Sequence, residues 1–258
     1  MEIEKLTEKD YWQGRWDKVK LPMTVEPDSK NKVTRAILEV FEEYIPKGDL
    51  SSVEIGGAPG AFTAYLNKYH GHDISIIEYT DIGCSKTEEQ FKILGIEGKV
   101  YHRDFLSDLS DIPKFDVVLS LGFIEHFTDL DDILGRHVKL LNKNGVLVVG
   151  LPNFKGINEK VLSRTAPEML SRHNLEAMDV NNWRCLEKTH GLKTLFEGYI
   201  GGFDPRALKR CENRTFSNLS IRYFFKFVSF LTGPFTFLRN FNSPKYSAYL
   251  IGIYKLPG

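Results

Sequence analysis

Residues 53–60 read Val53-Glu54-Ile55-Gly56-Gly57-Ala58-Pro59-Gly60. The apolar residues before the glycines predict a buried strand, and the run from Ala61 to about His70 predicts a helix that Gly71 ends. Glycines between a strand and a helix let the backbone pass close to a bound ligand, as in nucleotide-binding turns. This strand, turn and helix therefore form the first unit of the predicted fold.

The same alternation of strands with helices or loops recurs along the chain. The apolar spacing over residues 33–45 predicts an amphipathic helix before this unit. A mainly helical stretch over 158–190 follows it, and the last two predicted strands have a connection far longer than a hairpin needs, so we expect an insertion at 203–243. Together the pattern predicts an α/β fold with a mostly parallel sheet, whose further strands lie at 73–77, 99–102, 115–120, 146–150, 192–199 and 247–254.

Composition and charge exclude several classes of protein. The formal net charge is zero, which gives no general attraction to nucleic acid, although residues 200–258 hold nine Lys or Arg against two acids and nine of the 18 phenylalanines. No apolar run reaches the length of about 18 residues that a membrane span needs, and no leader peptide is evident. The three cysteines are widely spaced, without the Cys-x-x-Cys pairs of zinc or dithiol sites. We therefore expect a cytoplasmic protein.

The acidic residues at the first two strand ends indicate what ligand the glycine turn holds. Glu78, at the end of the second predicted strand, can accept hydrogen bonds from both hydroxyls of a ribose. The glycines do not follow the Gly-x-Gly-x-x-Gly spacing that a dinucleotide requires, and Pro59 removes an amide donor. Glu54 would also repel a diphosphate but attract an ammonium and a sulfonium group. The residues favour S-adenosylmethionine over NAD, with a dehydrogenase as an alternative.

These segments resemble one superfamily over most of residues 30–200. Residues 54–60 are similar to the first motif of the class I S-adenosylmethionine-dependent methyltransferases, Glu78 to their ribose-binding acid, and Arg103-Asp104-Phe105 to their adenine-contacting acid with its apolar neighbour. The run Ser120-Leu121-Gly122-Phe123-Ile124-Glu125-His126-Phe127 resembles the segment after strand four in members that modify small molecules and sugars, and residues 141–147 resemble the turn and strand that follow. The resemblance implies a Rossmann-like sheet of seven strands, the last one antiparallel, with helical and aromatic insertions after strands five and six.

The resemblance also implies a cofactor and its contacts. S-adenosyl-L-methionine would be the cofactor and S-adenosyl-L-homocysteine the product. The chain would be a single domain over 1–258, with an N-terminal arm or lid (1–32), a donor-binding half (33–150) and an acceptor-binding half (151–258). The aromatic run Tyr11–Trp16 would fold over the donor as that lid, or would serve only as a packing anchor. The expected cofactor-binding residues are Tyr11, Glu54, Gly56, Gly57, Ala58, Gly60, Glu78, Tyr79, Asp104, Phe105, Ser120 and Leu121.

Two histidines are candidates for a general base. His126 lies just past the fourth strand, where donor and acceptor should meet, and a histidine with an ordinary pKa can take a proton near neutral pH. His173 falls in the region that covers the acceptor in this superfamily. For each, the alternative is a histidine that only packs or sits on a surface. No metal-ligand spacing is evident in the sequence, so no metal is expected.

The acceptor is open at this stage. The resemblance favours an O or N atom of a sugar, a nucleotide-sugar or a related metabolite, in polysaccharide or small-molecule biosynthesis, and the basic C-terminal region would suit an anionic acceptor. A lipid or quinone precursor, an RNA, or a catalytically inactive donor-binding module are the alternatives. The aromatic, basic segment 221–241 is expected to be buried, or to form a lid, a homodimer contact or a membrane-surface helix.

Overall fold

The computed structural model describes residues 4–204, 220, 223 and 241–258. The predicted insertion at 203–243 and the aromatic segment 221–241 lie almost entirely outside these residues. The expectation of a homodimer through that segment therefore stays a prediction. Among the helices within the described ranges, none has the length and apolar character that crossing a bilayer would require.

Seven strands form one sheet, in the order β3-β2-β1-β4-β5-β7-β6. Strands β1 to β5 pair in parallel, and β7 runs antiparallel to both β5 and β6. This confirms the predicted mostly parallel sheet with an antiparallel last strand. The strands are β1 (Ser51–Ile55), β2 (Asp73–Glu78), β3 (Gly98–His102), β4 (Phe115–Leu121), β5 (Leu141–Pro152), β6 (Lys193–Phe203) and β7 (Ser247–Lys255).

Eight α-helices pack around this sheet in the described part of the chain. The side chain of Asn31 accepts hydrogen bonds from the amides of Val33 and Thr34, and so caps the helix that the 33–45 pattern predicts. The predicted helix after the glycine turn is α-helical only to Tyr65 and widens into a π-helical turn over Leu66–His70. The helices are α1 (Lys9–Asp17), α2 (Lys32–Tyr44), α3 (Ala61–Tyr65), α4 (Asp81–Leu94), α5 (Leu130–Lys139), α6 (Ile157–Thr165), α7 (Pro167–Ser171) and α8 (Cys185–Lys188).

Both faces of the sheet are covered by apolar side chains. Because successive strand residues point to opposite faces, Val118 joins one hydrophobic cluster while Val117 and Leu119 join the other. Helix α2 supplies its buried face, including Ile37 and Phe41, to the second cluster. The continuously apolar strands are therefore covered on both sides. The covered faces leave the ends of the strands as the place for a ligand.

The carboxyl ends of the parallel strands bring distant residues to one edge. Gly56 follows β1, Tyr79 follows β2, and Gly122 follows β4. A 3-10 turn at Ile124–His126 comes next in the chain after Gly122. In open α/β sheets ligands bind outside this edge, so the fold places the predicted site residues where a ligand would bind.

Candidate active site

A pocket opens at the carboxyl ends of β1, β2 and β3, and we call it the strand-end pocket. It encloses about 560 Å³ of space including its open mouth. Apolar side chains form much of its wall, and two carboxylates and a tyrosine also line it. Its lining comprises Lys5, Thr7, Trp12, Trp16, Ile55, Gly56, Ile77, Glu78, Tyr79, Arg103, Asp104, Phe105, Gly122, Phe123, His126 and Phe127.

The glycine turn leaves room that larger residues would fill. Gly56 has a φ of +65°, and a Cβ atom there would lie 2.5 Å from Cδ2 of Phe123. A Cβ atom on Gly57 would lie 2.2 Å from the carboxyl carbon of Glu54. The first glycine is needed both for its left-handed backbone and for the space beside the pocket.

Glu54 lies beneath this turn rather than on the wall of the strand-end pocket. It is 2% exposed, and the hydroxyl of Thr63 donates a hydrogen bond to its carboxylate. Burial raises the pKa of Glu54 to about 7. Glu54 was expected to attract a cationic ligand directly; in the structure its carboxyl group supports the turn from below and is partly protonated at neutral pH.

Glu78 does line the strand-end pocket, at the end of β2. Its Oε1 accepts hydrogen bonds from the amides of Tyr79 (2.9 Å) and Thr80 (2.7 Å) and from the Thr80 hydroxyl (2.8 Å). Burial raises the pKa of Glu78, and these hydrogen bonds oppose the rise. The local turn therefore fixes the carboxyl group in one orientation through a single oxygen.

Asp104 and Phe105 line the same pocket from the loop after β3. Asp104 pairs through Oδ2 with Nζ of Lys5 at 2.5 Å and accepts from the amide of Leu106 through Oδ1 at 2.9 Å. Phe105 is buried and packs edge-on against Phe123, with ring centroids 5.5 Å apart. The predicted adenine-contacting pair thus combines an oriented carboxylate with an apolar wall.

The N-terminal arm covers both this pocket and its neighbour. The amide of Leu6 donates to the carbonyl of His126 at 2.8 Å, and helix α1 packs against α4. Trp12 and Trp16 stack with centroids 5.6 Å apart and line both cavities, whereas Tyr11 lines only the second. The arm has the position of a lid, and Tyr11 stands nearer the second cavity than the predicted donor site.

The second cavity, which we call the histidine cavity, adjoins the first. It encloses about 1290 Å³ including its open mouth, and it is lined mainly from α1, the ends of β4 and β5, and β7. The two cavities share Trp12, Trp16, Gly56, Gly122 and His126. The remaining lining of the histidine cavity comprises Tyr11, Arg15, Asn31, Val33, Leu121, Glu125, Pro152, Phe154, Met169, His173, Asp204, Ala248 and Tyr249.

His126 therefore stands at the junction of the two cavities. Its Nδ1 lies 2.9 Å from the carbonyl of Arg172, and the ring packs edge-on against Trp12 at 5.0 Å. Burial, and then the neighbouring His173, lower the pKa of His126 to about 3. This corrects the expectation of a near-neutral pKa: the imidazole is uncharged throughout the physiological range.

Glu125 is a site residue that was not predicted from the sequence. Its carboxyl group is 2% exposed and lines the histidine cavity, and burial raises its pKa to about 8. His173 lies beside His126, with ring centroids 4.6 Å apart. Ligand-type atoms of Glu125, His126 and His173 all lie within 4.8 Å of one another, so the structure forms a cluster that could hold a metal, contrary to expectation. The Glu-His pair was visible in the sequence, but His173 is brought to it only by folding.

Four other residues that were predicted to bind the cofactor do not line the strand-end pocket. Leu121 lines the histidine cavity. Ser120 is buried, and its Oγ lies 3.0 Å from Nε2 of His137. Ala58 and Gly60 are buried in the turn, where Gly60 begins α3 with a φ of +88°. Together with Glu54 and Gly57, the residues Ser120, Ala58 and Gly60 shape the site from behind its walls.

Comparison with known proteins relates the chain to methyltransferases. Residues 53–147, which span β1 to β5, match the family model described as a methyltransferase domain. This match spans 95 of the 258 residues, so the similarity to methyltransferases is carried by the part of the chain that runs from β1 into β5. A segment of 45 residues is 40% identical to a ubiquinone biosynthesis O-methyltransferase of Pelagibacter ubique (strain HTCC1062). That segment is 17% of this chain and covers only 19% of the relative's length.

Solved methyltransferase structures share the overall fold. Geranyl diphosphate C-methyltransferase from Streptomyces coelicolor A3(2), in complex with Mg²⁺, geranyl diphosphate and S-adenosyl-L-homocysteine, superposes with a TM-score of 0.61 at 10% identity over 96% of this chain and 97% of that one. The N-methyltransferase NodS from Bradyrhizobium japonicum WM9, in complex with S-adenosyl-L-homocysteine, gives 0.56 at 15% identity, over 98% of this chain and 100% of that one. One is named a C-methyltransferase and the other an N-methyltransferase, so the methyltransferase fold by itself does not select an acceptor.

Proposed function

We propose that the protein transfers a methyl group from S-adenosylmethionine to an oxygen or nitrogen atom of a small acceptor. The observation that carries this proposal is the junction of the two cavities at Gly56, Gly122 and His126. A donor in the strand-end pocket and an acceptor in the histidine cavity would meet there. Methyl transfer needs such an arrangement, because the acceptor atom must attack in line with the bond that breaks.

The strand-end pocket has the features that the donor requires. Glu78 offers carboxylate oxygen at the end of β2, where a ribose would be bound, and Ile77 and Phe105 supply apolar walls for an adenine ring. Gly56 lines both cavities at the junction. In this arrangement Glu54 would act indirectly, by holding the glycine turn through its packing against Gly57.

The chain's contribution to the reaction is mainly orientation. The bound donor supplies a methyl carbon on a positively charged sulfur, which is already a good leaving group. His126, fixed by Arg172 and Trp12, would position the acceptor at the junction with its uncharged ring. Trp12 and Trp16 would exclude water from both cavities.

For the acceptor we favour a sugar, a nucleotide-sugar or a related anionic metabolite. Arg15 lines the histidine cavity and would attract a negative charge, while the aromatic side chains of Tyr11 and Phe154 in the same lining would pack against a sugar ring. A phenolic quinone precursor is the second candidate. The aromatic lining suits a phenol as well, and the 45-residue match to a ubiquinone biosynthesis O-methyltransferase favours it.

Two measurements test the proposal. Calorimetric titration should detect binding of S-adenosylmethionine and no binding of NAD; the reverse result would indicate a dehydrogenase. Release of S-adenosylhomocysteine is then measured with sugar phosphates, nucleotide-sugars, dihydroxybenzoates and amines. Product with any of them supports the enzyme, and the best substrate identifies the acceptor class. Donor binding without product from the whole set would favour the inactive-module alternative.

A further inference from the structure

Three side chains in the histidine cavity form a cluster suited to a metal ion, and we call them the Glu125 cluster: Glu125, His126 and His173. Their candidate ligand atoms lie within 4.8 Å of one another. The Nε2 atom of His126 lies 4.0 Å from Oε1 of Glu125, and the two imidazole rings are 4.6 Å apart. Two imidazoles and one carboxylate are a common ligand set for zinc and other divalent transition metals.

Each imidazole is oriented through its Nδ1 atom by a backbone carbonyl. Nδ1 of His126 lies 2.9 Å from the carbonyl oxygen of Arg172, and Nδ1 of His173 lies 2.5 Å from that of Met169. A carbonyl can only accept, so each ring carries its proton on Nδ1 and its lone pair on Nε2. A carbonyl that orients a histidine in this way is the usual outer partner of a metal-binding imidazole.

The segments that carry the cluster are also tied to each other. The amide of Asn174 donates to the carbonyl of Glu125 at 2.6 Å, and its side-chain amide donates to the carbonyl of Phe127 at 3.0 Å. Trp12 packs on the ring of His126, and Phe154 packs on that of His173 at 4.9 Å. These contacts limit the rotation of both rings, so little ordering would remain when an ion binds.

The carboxyl group of Glu125 gives independent evidence for a ligand. Its side chain is 2% exposed, and its Oε2 atom is buried without a hydrogen-bond partner in the described part of the chain. A buried polar oxygen in this state is unfavourable, because it has lost its hydration and gained no hydrogen bond in exchange. A cation at the cluster would satisfy that oxygen.

We propose that Glu125, His126 and His173 bind a divalent transition-metal ion, of which zinc is the representative, in the histidine cavity. Ligand bonds of about 2.0–2.2 Å would require the three groups to move together by about 1 Å. The three side chains leave at least one coordination position for another ligand. One further step rests on the proposed function: an oxygen atom of the acceptor would take that position. The metal ion would then hold the acceptor at the junction with the strand-end pocket.

The test measures metal binding without donor or acceptor. The purified full-length protein is treated with a chelator, dialysed and titrated with Zn²⁺ against a chromophoric competitor, and with Co²⁺ by visible absorption. We expect one ion per chain and the absorption bands of nitrogen-ligated Co²⁺. The variants Glu125→Gln, His126→Gln and His173→Gln should each weaken binding at least about tenfold. His102→Gln, which removes an exposed histidine elsewhere, should leave it unchanged.

Equal binding by the wild-type protein and all three cluster variants, or no stoichiometric binding by the wild type, would overturn the proposal. Circular dichroism and calorimetric titration with S-adenosylmethionine establish that each variant is folded. Glu125→Gln is the most conservative of the three in shape, so it keeps the test decisive if a histidine variant fails to fold. Zinc binding without release of S-adenosylhomocysteine would support the metal site and contradict the proposed function. Release of S-adenosylhomocysteine without zinc binding would support the proposed function and contradict the metal site.

Discussion

Glu54 has a carboxyl group that water does not reach, directly below the glycine turn. Its pKa is raised from 4.5 to about 7 by burial, so the folded chain holds this proton more tightly than the unfolded chain does. The stabilisation that this proton confers is complete below about pH 4.5 and is lost as the pH rises through about 7.

The variant Glu54→Gln should remove this contribution. Between pH 5 and 8 the free energy of unfolding of the wild-type protein should fall more steeply than that of the variant, by about 1–3 kcal/mol. Denaturation in urea at the two pH values measures both. Other buried acids contribute equally to the pH dependence of both proteins. The difference between the two pH dependences therefore reports on Glu54 alone. Parallel pH dependences would mean that Glu54 titrates normally.

His126 should be required for turnover and not for donor binding. It touches both cavities, so His126→Gln removes the group that would face the acceptor while the walls around Glu78 and Phe105 stay intact. We expect kcat to fall at least about 100-fold, because the acceptor is no longer held in line, with an unchanged Kd for S-adenosylmethionine. His102→Gln serves as the control. Full turnover of the His126 variant at saturating substrates would exclude the residue from the mechanism.

For the turn between β1 and α3, the effect of its shape on ligand binding can be measured separately from the effect of backbone strain on stability. Gly56 and Gly95 have nearly the same φ, +65° and +66°, but a Cβ on Gly56 would strike Phe123 whereas a Cβ on Gly95 meets nothing within 4 Å. Both alanine variants should lose about 1–2 kcal/mol of stability from the left-handed backbone.

Only Gly56→Ala should also impair donor binding, by at least about tenfold, because its methyl group displaces Phe123 from the wall of the strand-end pocket. Calorimetric titration of the two variants makes the comparison. A similar loss of affinity in Gly95→Ala would show that general destabilisation, rather than the shape of the turn, controls binding.

The N-terminal arm is the second element that can be tested. Lys5, Thr7, Trp12 and Trp16 all line the strand-end pocket, and Lys5 pairs with Asp104. Removing residues 1–20 should therefore weaken binding of S-adenosylmethionine at least about tenfold, while the cooperative unfolding of the sheet is retained. A truncation of residues 1–3 alone is the matched control. An unchanged affinity of the longer truncation for S-adenosylmethionine would show that the arm serves only as a packing anchor.

At the scale of the whole molecule, charge is unevenly distributed along a chain whose formal net charge is zero. Residues 200–258 carry nine of the 34 basic residues and only two of the 34 acidic ones, and Arg15 lines the histidine cavity. For an anionic acceptor, KM should rise with ionic strength because salt screens this attraction. Arg15→Gln should raise KM and weaken its salt dependence without changing the Kd of the donor. A KM that does not respond to salt would indicate a neutral acceptor.

The α/β fold, the positions of the strands and the strand ends near Gly56, Glu78 and Asp104 could all be predicted from the amino-acid sequence. These features follow from local spacing: apolar runs, glycines in turns and acids at strand ends are all visible within a few residues. Hydrogen-bond geometry and burial depend instead on what surrounds a side chain. Folding is what buries Glu54 under the turn, keeps His126 uncharged and brings His173 next to Glu125. Residues far apart in the chain meet through the packing of α7 and its neighbouring turns, and desolvation sets their charge.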